Sequence, residues 1–198
     1  MKKYFRFLIL GIFVVSLFSS CAKQPTQAID AAKAAIDAAS KEGAAVYAAD
    51  ELKKLNDDMQ AAMDEVNTQQ GKKFFKKFGP AKEMLAKVQA DADALKATIP
   101  AKIEAAKNAA IQAQTEAKAV LDEAKALLEK APMGKGTKAD IMAMKADLAG
   151  LETSFAEIQT SIDSADYFGA SAKAATIKEK ATVISDQVKA AIEKVKGR

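Results

Sequence analysis

The residues that could do chemistry here are few, and the most pointed of them is Cys21, the only thiol among 198 residues. A lone cysteine can serve as nucleophile, metal ligand, half of an intermolecular bridge or point of covalent attachment. The chain contains no histidine, which removes the commonest general base and metal ligand and any Ser–His or Cys–His pairing. Acidic neighbours occur at Asp57-Asp58, Asp64-Glu65 and Asp122-Glu123. Adjacent residues on a helix do not face one another, so these read as solvated helix faces rather than carboxylate dyads. Gly134-Lys135-Gly136-Thr137 brushes against a phosphate-binding loop and misses it. Glu129 stands where that loop needs glycine, and Gly136 follows the lysine where Ser or Thr is required. The expectation is a protein that is not an enzyme and holds no cofactor or metal.

One patch remains after that elimination, Lys72-Lys73-Phe74-Phe75-Lys76-Lys77-Phe78-Gly79. Basic residues interleaved with aromatics can sit on an anionic membrane surface or grip a polyanion. Lys72, Lys73, Lys76 and Lys77 are the candidate contact residues. The competing reading is an elbow whose phenylalanines plug the end of a helical bundle, and the sequence favours it. An apparent internal repeat keeps aromatics and glycine at Asp166-Tyr167-Phe168-Gly169 but none of the lysines. The aromatics are then architectural, and only the lysines are open to a specific role.

What carries Cys21 is clearer. Met1 to Arg6 is a short basic head, and Phe7 to Phe18 is an apolar run of twelve residues broken only by Gly11 and Ser16. Ser19 and Ser20 follow. A basic head, a short apolar run and small residues make a secretory signal, and the run falls short of the ~20 residues that span a bilayer. Residues 1–20 are therefore expected to be cleaved. The junction Leu17-Phe18-Ser19-Ser20-Cys21 resembles the lipobox of bacterial lipoproteins, with Phe18 where Leu is usual. That resemblance implies a diacylglyceryl thioether on Cys21, cleavage before it and acylation of the new amino group, with residues 21–25 as a lipidated tether. Two or more acyl chains hold a protein stably on a membrane, so the membrane is the implied partner. Ala22, where Asp is absent, implies the outer membrane and a periplasmic location. The alternative is an ordinary secretory signal with an incidental cysteine.

Removing the leader changes the charge. The whole chain has 30 Lys+Arg against 26 Asp+Glu; without Lys2, Lys3 and Arg6 it has 27 against 26, a net of +1. The basic character belongs to the leader, and no nucleic-acid partner is expected. Alanine supplies 44 residues. It is the best helix former and buries little area, so an all-α protein with thin, ridge-like packing follows.

Glycine and proline positions divide the remainder into helices near 26–42, 49–69, 80–99, 101–131, 138–164 and 170–196. Pro80 is placed at a first helical position, and Thr137-Lys138-Ala139-Asp140 reads as a capping-box start. Apolar residues step by three and four along each face. The rows are Val88, Ala92, Leu95, Ile99; Ile103, Ala106, Ala110, Ala113, Ala117, Val120, Ala124, Leu127, Ala131; Ile141, Met144, Leu148, Leu151, Phe155, Ile158, Ile162; and Ala170, Ala174, Ile177, Ala181, Ile184, Val188, Ala191, Val195. This is a coiled-coil-like seam, and short connections make neighbouring helices antiparallel. At Pro100 one long kinked helix is favoured over two.

The chain also aligns with itself: residues 28–39 match 120–131 at five of twelve positions, and Phe75 meets Phe168. The expected architecture is an elongated antiparallel bundle of two tandem three-helix units, 26–107 and 108–198, sharing a long kinked central helix. Gly43-Ala44-Ala45-Val46-Tyr47-Ala48-Ala49-Asp50-Glu51-Leu52 resembles a G-A-x-x-Y-A-P-x-E-L motif of an uncharacterised group of helical envelope lipoproteins, with Ala49 in place of the proline. The resemblance implies an envelope location and no activity. The leading expectation is a lipid-anchored spacer, scaffold or adaptor with an unidentified envelope protein partner; its oligomeric state is left open. The alternative is a carrier for an apolar ligand or lipid in a groove lined by Met59, Met63, Met84, Met144 or Phe155. Covalent attachment to peptidoglycan through a terminal lysine is disfavoured, because the chain ends Lys196-Gly197-Arg198.

Overall fold

A computed structural model describes residues 23–134 and 137–196. Residues 1–20, where the cleaved signal is expected, Cys21, Ala22, the Lys135-Gly136 pair and the terminal Gly197-Arg198 lie outside the described residues. The protein is all-α, a helical bundle with no strand among the described residues. Its helices are α1 (Thr26–Ala39), α2 (Ala49–Gly71), α3 (Gly79–Lys130), α4 (Lys138–Asp163) and α5 (Tyr167–Lys196). Two compact units divide the chain, one ending at Lys102 and the other beginning at Ile103.

In the first unit α1 opens at Pro25, whose carbonyl accepts Ile29 N–H at 3.0 Å. The expected single helix to residue 42 ends earlier. A kinked segment, Ser40–Ala44, and one helical turn, Ala45–Tyr47, lead into α2. Gly43 sits there at φ 116°, and a Cβ on it would meet Tyr47 Cδ2 at 3.3 Å and Ile99 Cγ2 at 3.6 Å. Glycine is required because an L side chain is strained at this angle, and Tyr47 and Ile99 leave little room. Ala44 and Ala48 are buried at the corner, and Ala49 is the first residue of α2, a position that suits proline. The motif from Gly43 to Leu52 thus has a structural role as the α1–α2 corner, and Glu51 fastens it by an ion pair to Lys102 of α3. α2 and α3 run antiparallel: Glu51 near the start of α2 meets Lys102, while α2's last residue is joined to α3's first by a short loop.

α3 is one helix of 52 residues that passes through Pro100, rather than two helices parted there. Proline deprives the Lys96 carbonyl of its donor; Pro100 itself is exposed and Ile99 beside it fully buried, so the defect faces water. Pro80 occupies the second position of α3, since Gly79 is the first; Phe78 supplies the carbonyl that opens the helix, 2.9 Å from Lys82 N.

Unit two is an up-down-up arrangement, read from its cross-helix contacts. Glu116 and Glu123 of α3 pair with Lys178 and Lys189 of α5 at 2.6 and 3.0 Å, so those helices are parallel. Gln114 and Lys125 meet Gln159 and Glu152 of α4 in reverse order, which makes α4 antiparallel. Every row residue of α4 and, through Ala191, of α5 belongs to or packs against one core cluster. The row on α3 is widened by Leu121 and Leu128, both buried; an α3 that contacts two neighbours needs more than one stripe.

Thr137 departs from the capping-box expectation. Its hydroxyl makes no bond to its own helix; it donates to the Pro132 carbonyl at 2.9 Å and accepts from Gly134 N–H at 3.2 Å. The loop groups at Pro132 and Gly134 occupy the hydroxyl that a cap would use. Asp140 keeps the acidic place in the first turn, where the helix dipole favours it.

Candidate functional site

The loop from Lys72 to Phe78 is built outward from Gln69, a buried residue of α2 with 6 % exposure. Its amide nitrogen donates to Glu65 Oε1 at 2.8 Å, orienting the side chain. The amide oxygen then accepts from Lys77 N–H and from Lys72 Nζ, both at 3.0 Å. One side chain therefore holds both ends of the loop. Lys72 N–H also reaches the Gln69 carbonyl at 3.3 Å.

The expectation that the phenylalanines plug the bundle end holds for Phe78 alone, which is 1 % exposed. Phe74 and Phe75 project into solvent at 78 % and 91 % exposure. Phe75 adopts φ 57°, an angle that costs an L-residue roughly 1–2 kcal/mol. The reason for the split is length: with both ends held at Gln69, only the residue that enters α3 can turn inward. Lys72, Lys73 and Lys77 are exposed and Lys76 half-buried. Among the described residues none of the four is in an ion pair, and the loop contains no acidic residue. Sequence spacing located the patch; it could not separate Phe78 from the other two rings.

The acidic neighbours are divided among different partners. Asp57 pairs with Lys53 at 2.7 Å and Asp58 with Lys54 at 2.6 Å, each one helical turn away. Asp122 pairs with Lys118, whereas Glu123 reaches α5 through Lys189. Asp64 accepts from Gln60, and Glu65 is the partner of Gln69. The hydrogen bond from Lys54 holds the Asp58 carboxyl below its ordinary range. Glu51 is lowered in the same way by Lys102, and Glu116 by Lys178 and then Gln112. No group of three or more potential ligands is placed to hold a metal ion among the described residues.

The residues named for a carrier groove do not share one. Met59 is in the core of the first unit, with Met63 and Met84 half-buried there; Met144 and Phe155 pack against the core of the second. Met144 lines a shallow groove between α4 and α5, with Asp147, Gln187 and Lys194 on its rim. A larger groove of about 600 Å³ lies further along the same seam, at Gly150, Leu151, Val183 and Ile184.

No described helix is long and apolar enough to cross a membrane. Comparison with family models, with curated proteins and with solved structures finds no match.

Proposed function

We propose that this chain is a non-enzymatic, lipid-anchored helical lipoprotein of the bacterial envelope, acting as a spacer, scaffold or adaptor in the periplasm. The observation that carries the reading is Cys21: the only cysteine stands directly after the apolar run and two serines. As a free thiol in an oxidising compartment it would lack a mate; as an acylated amino terminus it accounts for its own solitude. The fold is compatible with the reading. Apolar rows are satisfied within each unit, and the helix faces outside them carry one-turn Lys–Asp pairs. Such faces suit a body held in water by a tether. The resemblance of residues 43–52 to envelope lipoproteins points the same way, and Ala22 favours the outer membrane.

Intact mass of the protein extracted from membranes tests the proposal. The expected mass lacks residues 1–20 and carries a diacylglyceryl group and a further acyl chain on Cys21. An unmodified cysteine, on either a cleaved or an uncleaved chain, would overturn it.

A second reading, a carrier for an apolar ligand, is favoured by the groove at Leu151, Val183 and Ile184. Organic extraction of the purified protein separates the two. Stoichiometric lipid beyond the acyl groups on Cys21 would select the carrier.

A further inference from the structure

We infer that the loop Lys72 to Phe78 is a second, reversible membrane contact, inserting Phe74 and Phe75 between the lipids of an anionic bilayer. Three independent features of the loop converge on it.

The first is exposure of a kind that packing does not require. Two consecutive phenylalanines stand at 78 % and 91 % exposure, while Phe78, three residues on, supplies the buried ring that the start of α3 needs. Phe75 is moreover held at φ 57°. Unfavourable backbone angles persist where surrounding structure imposes them, and this one lies between loop ends that Gln69 holds.

Rigidity at the base is the second. Gln69 fixes Lys72 and Lys77 through one amide oxygen, so the tip is presented without a large ordering penalty on binding.

Charge is the third. Four lysines flank the two rings, with no acidic residue between Lys72 and Phe78 and, among the described residues, no ion pair to neutralise them. Elsewhere on the first unit Lys53, Lys54, Lys87 and Lys102 are paired with carboxylates, while Lys23, Lys33, Lys41, Lys82 and Lys96 stand singly along the sequence. What sets the loop apart is four lysines clustered around two exposed rings. Basic residues near a bilayer are attracted by anionic headgroups, and aromatic rings enter the boundary between headgroup and acyl chain. A soluble polyanion would use the lysines but leave the rings in water. Single-stranded nucleic acid is tracked by a groove with stacking platforms, not by a projecting tip.

The chain contains no tryptophan, so Phe75→Trp in the full-length protein gives a single reporter at the tip. It is compared on vesicles of phosphatidylcholine with and without phosphatidylglycerol, with brominated acyl chains as quencher. A blue shift and quenching on the anionic vesicles, absent on the neutral ones, are expected. Phe74→Trp should respond in the same way. Replacing Lys72, Lys73, Lys76 and Lys77 together by Gln should lower the tip's affinity for the anionic surface by roughly a hundredfold or more, read as loss of quenching. Emission that stays as it is in buffer on bound protein would overturn the inference. Quenching that survives loss of the lysines would also overturn it, as would an equal blue shift with heparin in place of lipid, which identifies a polyanion grip. The readout is local to the loop. An unacylated Cys21 would leave this test intact, and a loop that stays in water would leave the anchor reading intact.

Discussion

The elbow between α2 and α3 uses seven residues, Lys72 to Phe78, for a reversal that the elbow between α4 and α5 completes in three, Ser164 to Asp166. The shorter one is closed by its own backbone. Asp166 N–H reaches the Ser161 carbonyl at 2.8 Å and Ala165 N–H the Ile162 carbonyl at 3.0 Å, with Ala165 at φ 61°. That is a Schellman ending with alanine in the place glycine usually takes. Asp166 then caps α5, its carboxylate accepting Gly169 N–H at 3.0 Å. The longer elbow has no such economy. It is held by a side chain, Gln69, and displays two rings that a mere reversal does not need. Length alone does not mark a use, since the connection from α3 to α4 also takes seven residues and is held by the Thr137 side chain. What distinguishes the α2–α3 elbow is the pair of outward rings among lysines.

The largest test of this contrast is Phe78→Ala. Loss of a buried ring of this size costs about 3–5 kcal/mol, read from the urea midpoint, whereas Phe75→Ala should change it by less than about 0.5 kcal/mol. Equal effects would erase the division between plug and tip. Next comes the fastening of each elbow. Gln69→Ala leaves Lys77 N–H without its partner and should cost about 1–3 kcal/mol. Asp166→Ala removes a helix cap and should cost about 0.5–2 kcal/mol, measured in the same way.

Smaller and opposite in sign are the two residues at positive φ. Both Ala165→Gly and Phe75→Gly relieve an unfavourable angle and should stabilise by about 0.5–1 kcal/mol. Only Phe75→Gly should also weaken the response to anionic vesicles, and a loss in both would remove the distinction between the elbows. Smallest is the response to acid, which the two units should share. Glu51 and Asp58 in the first and Glu116 in the second are held below their ordinary values by lysine hydrogen bonds. A lowered carboxyl contributes stability that is fully present above its unfolded value and is lost as pH falls through the folded one. The urea midpoint should therefore fall as pH drops below about 4, and less steeply in high salt because these pairs are exposed. A midpoint that rises on acidification would contradict the pairings.

Much of the fold was legible because helical packing is written in periodicity. The rows on α4 and α5 required only the step of three and four, and their residues line the core of the second unit. Boundaries were less so. Gly169 reads as a breaker yet lies inside α5, since Asp166 caps the helix three residues earlier. Thr137 carries a capping signature, but the preceding loop at Pro132 and Gly134 takes its hydroxyl. A cap is a competition among donors and acceptors, and the sequence names only one competitor.

By itself the sequence determined the helical class, the apolar faces, the concentration of excess positive charge in residues 1–20 and the solitary place of Cys21, since each follows from composition and spacing along one chain. Only the tertiary structure decided that α3 continues through Pro100, that Gly43 turns the corner between α1 and α2, and that Phe74 and Phe75 face water while Phe78 does not. Those outcomes depend on what a residue meets from elsewhere in the fold. Identical side chains three residues apart have the same local preferences; the position of Gln69 and the start of α3 separate them.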